Sequence, residues 1–265
     1  MPSSARTWIA ALRGSQQRLA ALAGPLSPEQ LRGQSYDTDW TVAQVLSHIG
    51  SQAEIAQASL TAVLSGAELP DMDDFKKIWA VWDARDPDEQ AAQCLIQDAR
   101  HLDQLEQLTD EQLDGIRALL FGQEFDAVGL VWLRLGEHAL HSWDVAVTLD
   151  QGATVAPDAV ALLVDRVSFV AQWAGKASGE PFGAGIATTG PERQFRLDVT
   201  DSVSLAEAGP GEEGEDGAGA ARFQMPAEAL LRLVYGRLDP AHTPPVTVAA
   251  GDVGLDRLRQ VFPGF

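Results

Sequence analysis

The sequence predicts an α+β protein that is mainly α, with a helical unit over residues 1–175 and a smaller α+β unit over residues 176–265. Two observations carry this reading. Over the first unit, apolar residues recur at mixed three- and four-residue spacing behind repeated N-cap signals. After Lys176, glycine and proline become frequent, and Phe195, Leu197 and Val199 alternate with polar neighbours as in a half-buried strand.

The elements follow in order. Trp8, Ile9, Leu12, Leu19 and Leu22 place an amphipathic helix over about Ala5 to Ala23, ending near Gly24. Ser27-Pro28-Glu29-Gln30 combines an N-cap serine, proline at the first helical position and a glutamine that can close a capping box. Thr41 to Gln44 repeats that logic behind an apolar Trp40 and opens a helix through Val45, Leu46, Ile49, Ala53, Ala56 and Leu60, with His48 in its second turn. An acidic connector, Pro70 to Asp74, and an aromatic stretch (Phe75, Ile78, Trp79, Trp82) lead to Asp86-Pro87-Asp88-Glu89, which starts a long helix to about Leu108. Thr109 to Gln112 is another cap of the same kind; its flanks do not match those of Ser27, so it marks no internal repeat. A fourth long helix is predicted over about Asp126 to Thr148, and a further one over Ala156 to about Gly175. Beyond these lie a strand over Gln194 to Asp201, a mobile loop or hairpin connection over Ala206 to Ala221, a helix over Pro226 to Leu238, a short strand over Val246 to Ala249 and a last helix over Val253 to Val261. Antiparallel helices joined by moderate connections predict a bundle whose inward positions can host a metal.

At 265 residues and 45% hydrophobic content, the chain can bury real cores. Its 38 acidic residues against 19 basic ones give a net charge of −19, which argues against nucleic acid and anionic membrane partners. An anionic substrate would need a local cation. The single Cys94 excludes an internal disulfide framework and reads as a small buried hydrophobe. No cleavable apolar leader and no membrane-length apolar run occur, so a cytoplasmic protein is expected.

Several motifs fail on inspection. Gly209-Pro210-Gly211-Glu212-Glu213-Gly214 fits a dinucleotide fingerprint by spelling, yet no helical pattern follows it and its glutamates would repel a pyrophosphate. There is no P-loop and no nucleophile elbow. Among five histidines, His101 in a charged stretch and His242 in a proline-rich loop are expected at the solvated surface. Glu137, His141 and Asp144 lie on one helical stripe, with His138 rotated about 100° away from Glu137. A carboxylate and an imidazole at i, i+4 can share a divalent metal with a ligand from a distant helix, for which His48 is the candidate; the same pair also reads as a buried hydrogen-bonded cluster.

Trp40-Thr41-Val42-Ala43-Gln44-Val45-Leu46-Ser47-His48, Glu137-His138-Ala139-Leu140-His141-Ser142-Trp143-Asp144, and Tyr235-Gly236-Arg237 followed by Gly251-Asp252 together resemble the mycothiol-dependent maleylpyruvate isomerase family over nearly the whole chain. The resemblance implies a DinB-like four-helix bundle followed by a small α+β domain. It also implies a divalent metal, zinc foremost, held by His48, Glu137 and His141, with Asp144 behind the ligands and mycothiol taking the open position as thiol cosubstrate. Arg237 matches a family arginine able to orient a substrate carboxylate; alternatively it is a helix C-terminal arginine bound to the last carbonyls.

The function expected from this is a metal-dependent isomerase or thiol S-transferase. The thiol would add to an electrophilic carbon of a small organic acid or xenobiotic, and be expelled after rotation or retained. The alternatives are a non-catalytic metal- or ligand-binding sensor, carrier or stress-response protein, and a metal-dependent hydrolase using Asp144 or His138 as base. The expected partners are a small substrate and a low-molecular-weight thiol, in a monomer or homodimer.

Overall fold

The structure is a computed structural model that describes residues 4–120, 122–177, 179–209, 221–251 and 253–264. The chain divides into two compact units, Met1–Thr154 and Val155–Phe265.

Among the described residues, the first unit holds four long helices, α1 (Ala5–Ala23), α3 (Val42–Ser65), α5 (Pro87–Gln107) and α7 (Ala127–Leu149), and three shorter ones, α2 (Pro28–Arg32), α4 (Met72–Asp83) and α6 (Asp110–Gly115). Capping residues set these starts. Ser27, Thr41, Asp71 and Thr109 each form a reciprocal capping box, while Ser4, Asp86 and Asp126 accept from the first turn of α1, α5 and α7. α3 stops at Gly66, whose φ of 67° suits a residue without a Cβ. α3 packs on α5 and α7, and α1 on the same two helices, so the four long helices make the expected four-helix bundle.

The bundle interior is built from Leu12 and Leu19 of α1, Leu46 and Ile49 of α3, Cys94 and Leu102 of α5, and Leu135 and Leu140 of α7. Gly50 permits a close approach at its centre. A Cβ there would fall 2.2 Å from the Trp82 indole and 3.0 Å from the Cys94 backbone. A two-stranded hairpin, β1 (Ala118–Leu120) with β2 (Gln123–Phe125), precedes α7 and was not foreseen. Strands of three residues carry too little alternation to read.

The second unit contains α8 (Pro157–Leu163), α9 (Val167–Ala174), α10 (Ala227–Val234) and α11 (Leu255–Val261), with a five-stranded sheet. Its strands are β3 (Phe182–Thr189), β4 (Arg193–Val199), β5 (Val203–Glu207), β6 (Ala221–Pro226) and β7 (Thr247–Ala250), in the order β5-β4-β3-β6-β7. β3 pairs in parallel with β6, and every other pairing is antiparallel. Ile186, Phe195, Leu197, Leu205, Phe223 and Met225 are all buried.

Several expectations need correction. The division falls between Thr154 and Val155, earlier than the 175/176 boundary suggested by composition, because α8 and α9 pack on α10 and α9 also packs on β5. The helix expected over Ala156 to Gly175 is broken by a 3-10 turn at Val164–Arg166 into α8 and α9. α10 ends at Val234 rather than Leu238, since Gly236 turns to a φ of 73°. His101 is buried, not solvated. The loop expected over Ala206 to Ala221 instead begins and ends in strands β5 and β6; its residues 210–220 lie outside the described residues.

Candidate metal centre

His48 owes its position to the start of α3. The Thr41 hydroxyl accepts from the Gln44 N–H, and the Gln44 side chain returns a bond to the Thr41 N–H. The stretch before it is pinned by main-chain bonds. Val42 N–H donates to the Gly33 carbonyl, Ser35 donates twice to the Trp40 carbonyl, and Tyr36 N–H donates to the Asp144 carbonyl on α7. Trp40 is thereby laid against the site, its ring centroid 5.0 Å from that of His48 and 6.0 Å from that of His141.

Helical spacing on α7 supplies the rest. Glu137 and His141 sit one turn apart, and the distances from Glu137 Oε2 are 3.2 Å to His48 Nε2 and 3.5 Å to His141 Nε2. The two imidazole centroids are 4.6 Å apart. Ligand atoms of the three residues lie within 4.8 Å of one another, and among the described residues no other histidine, cysteine or acidic group joins them. A tetrahedral cation with bonds of about 2.0–2.1 Å requires ligand atoms about 3.3 Å apart, so both measured separations fit such an ion.

The proton inventory points the same way. His141 Nδ1 lies 2.8 Å from Asp144 Oδ2. A carboxylate only accepts, so the ring proton belongs on Nδ1 and the Nε2 lone pair is aimed at Glu137. Two acceptors therefore face each other across 3.5 Å. A cation between them, or a second proton on the ring, resolves that opposition. Burial pushes the His48 pKa down; the Glu137 hydrogen bond pulls it back, and the neighbouring His141 lowers it again. Burial would raise the Glu137 pKa, whereas protonation of the His141 and His48 rings, which turns them into donors to its carboxylate, holds it well below its ordinary value. A neutral imidazole and an ionised carboxylate are the forms that ligate metals. The Glu137 side chain remains 41% exposed and that of His48 21%, which leaves the trio open on one side.

One turn deeper lies a buried polar network. Asp98 of α5 receives Arg134 Nη2 on Oδ1 and His138 Nε2 on Oδ2, each at 2.8 Å. His138 Nδ1 is 2.8 Å from the Ser15 hydroxyl of α1, and Arg134 Nη2 also donates to the Ile49 carbonyl of α3 at 3.0 Å. His138 faces away from the trio and its Nε2 is engaged by Asp98. Ser15, His138 and Asp98 share the connectivity of a catalytic triad, yet all three are buried, so no substrate reaches the hydroxyl. Burial would raise the Asp98 pKa, but His138 and Arg134 hold it below the carboxylate range.

The other singled-out residues fall as follows. Cys94 is buried and burial pushes its thiol pKa up, so it is no nucleophile. His242 is half-buried, with Nδ1 3.0 Å from the Asp239 carboxylate. Arg237 follows α10 and donates from Nη1 to the Tyr235 carbonyl at 2.9 Å, the helix-end contact. Asp252 and most of the glycine-rich Gly209 to Gly214 stretch lie outside the described residues. Asp98, Arg134 and Ser15 were not singled out from the sequence. A lone arginine amid Val131, Trp132, Leu133 and Leu135 was the available signal.

Residues 12–146, just over half of the 265, match the family model described as the mycothiol maleylpyruvate isomerase N-terminal domain. A crystal structure of the mycothiol-dependent maleylpyruvate isomerase is similar over 95% of both chains, with a TM-score of 0.67 and 15% identity. That of a histidine-to-alanine mutant of this isomerase gives 0.66 and 14%, again over 95% of each chain. No curated protein matches.

Proposed function

The chain belongs to the mycothiol maleylpyruvate isomerase family by its N-terminal domain, and on that premise we propose a mycothiol-using isomerase or thiol S-transferase acting on a small electrophilic organic acid or xenobiotic. The observation that carries the metal half of this reading is the opposition of His141 Nε2 and Glu137 Oε2, with Asp144 fixing the proton on the far nitrogen. His48, Glu137 and His141 would hold a divalent metal, zinc foremost. When bound, that cation supplies Lewis acidity that keeps a low-molecular-weight thiol as thiolate at neutral pH.

The chain's own residues do the rest. Asp144 orients His141 and Trp40 walls the ligand cluster. The buried, protonated Cys94 leaves the nucleophile to be brought by the cosubstrate. Three protein ligands with an exposed side favour a catalytic over a structural site. A non-catalytic site closed by His138 is disfavoured, since that ring is spent on Asp98 and Ser15. Arg237 as a carboxylate-orienting residue is part of the proposal and rests on the sequence resemblance. Turnover of maleylpyruvate and related cis-unsaturated acids, with and without mycothiol, tests the reading. Thiol-dependent conversion is expected, and thiol-independent turnover would overturn it.

A further inference from the structure

A three-ligand site drawn from two helices has a registration problem. His48 sits on α3, Glu137 and His141 on α7, and a slip of one turn would displace the imidazole by about 5.4 Å. The ligand spacing tolerates only a few tenths of an ångström. Arg134 stands where the register can be set. One turn before Glu137 on α7, its Nη2 donates both to the carbonyl of Ile49, the residue after His48, and to Asp98 on α5. Asp98 is in turn held by His138 of α7, and His138 by Ser15 of α1. All four long helices meet at this node, immediately behind the ligands.

Stability alone does not account for it. Arg134 is 5% exposed, and its Nε and Nη1 have no hydrogen-bond partner among the described residues. A buried ion pair with unmet donors is commonly no more stable than well-packed apolar residues of the same size. We propose that Arg134 is a positioning residue whose Nη2, anchored on Asp98, clamps the Ile49 carbonyl and so sets α3 against α7 at the register that brings His48 to Glu137 and His141. This rests on the metal reading of those three residues.

The test uses the full chain and Co2+ as the probe, read by its visible d–d absorption, by competition with a chelator and by thermal melting. Arg134→Met leaves the buried Asp98 with His138 alone, so it is expected to melt below the wild type and, in the protein still folded at the assay temperature, to bind Co2+ ten- to a hundredfold more weakly, the usual range for residues supporting metal ligands, with weakened tetrahedral bands. Arg134→Lys, which keeps the charge and its bond to Asp98 but has a shorter reach to the Ile49 carbonyl, should recover part of the affinity; if the methionine variant does not fold, the lysine variant carries the test and should still bind more weakly than wild type. Wild-type affinity and an unchanged spectrum in a folded variant would overturn the clamp. A wild-type protein that binds no Co2+ would overturn the metal reading itself, and the clamp with it.

Discussion

His141 Nδ1 and Asp144 Oδ2 lie 2.8 Å apart on α7, and that bond decides which face of the imidazole is offered to Glu137. With the proton committed to Asp144, Nε2 is a lone pair that points at an ionised carboxylate. Asp144 is anchored as well through its own carbonyl, which accepts from Tyr36 and ties the loop before Trp40 to the same helix.

Removal of that carboxylate should weaken the site without dismantling it. Asp144→Ala is expected to lower zinc affinity ten- to a hundredfold, because the ring loses both its orientation and its fixed tautomer. Competition titration against a chelator, beside a melting curve, measures this; wild-type affinity would show that Asp144 does not support His141.

Cys94 should be dispensable for chemistry. Cys94→Ala is predicted to leave thiol-dependent turnover within about twofold while costing about 1 kcal/mol of stability, since it empties a small buried volume. Folded wild-type protein should resist alkylation by iodoacetamide. A large loss of turnover in a folded variant would contradict the external origin of the nucleophile.

His101 predicts a pH dependence of stability. Burial, followed by the charge on Arg134, lowers its pKa from 6.5 to about 3. The unfolded chain then binds the proton that the folded chain refuses, so the contribution is complete above pH 6.5 and is lost as pH falls toward 3. The slope approaches about 1.4 kcal/mol per pH unit in that window. Urea unfolding of wild type and His101→Gln at pH 7 and pH 4.5 checks this. The variant should lose less stability than wild type on acidification, and equal losses would contradict the assignment.

Much of the first unit was legible because its signals are local. Thr41 with Gln44 announces α3, Ser27 with Gln30 announces α2, and each reciprocal box forms where expected. Glu137 and His141 were legible for the same reason, since helical spacing alone puts them on one face. The pairing of His48 with them spans 89 residues and came from the motif resemblance rather than from periodicity. Asp98 and His101 were hidden, because charged neighbours such as Arg100 and Asp103 made the helix read as solvated while one narrow stripe turns inward. The second unit was read least well. β3 is rich in glycine and alanine and lacks the β-branched alternation that announces a strand, and its pairing with β6 is non-local.

The most direct test of the central claim is the zinc content of the purified full chain after equilibration with zinc and removal of loosely bound ion, for wild type and His48→Ala side by side. The three-ligand site predicts a single tightly held zinc per wild-type chain and a loss of at least about tenfold in affinity in a folded His48→Ala. Wild-type protein that retains no divalent metal, or a His48→Ala variant that retains it unchanged, would contradict the assignment of His48, Glu137 and His141.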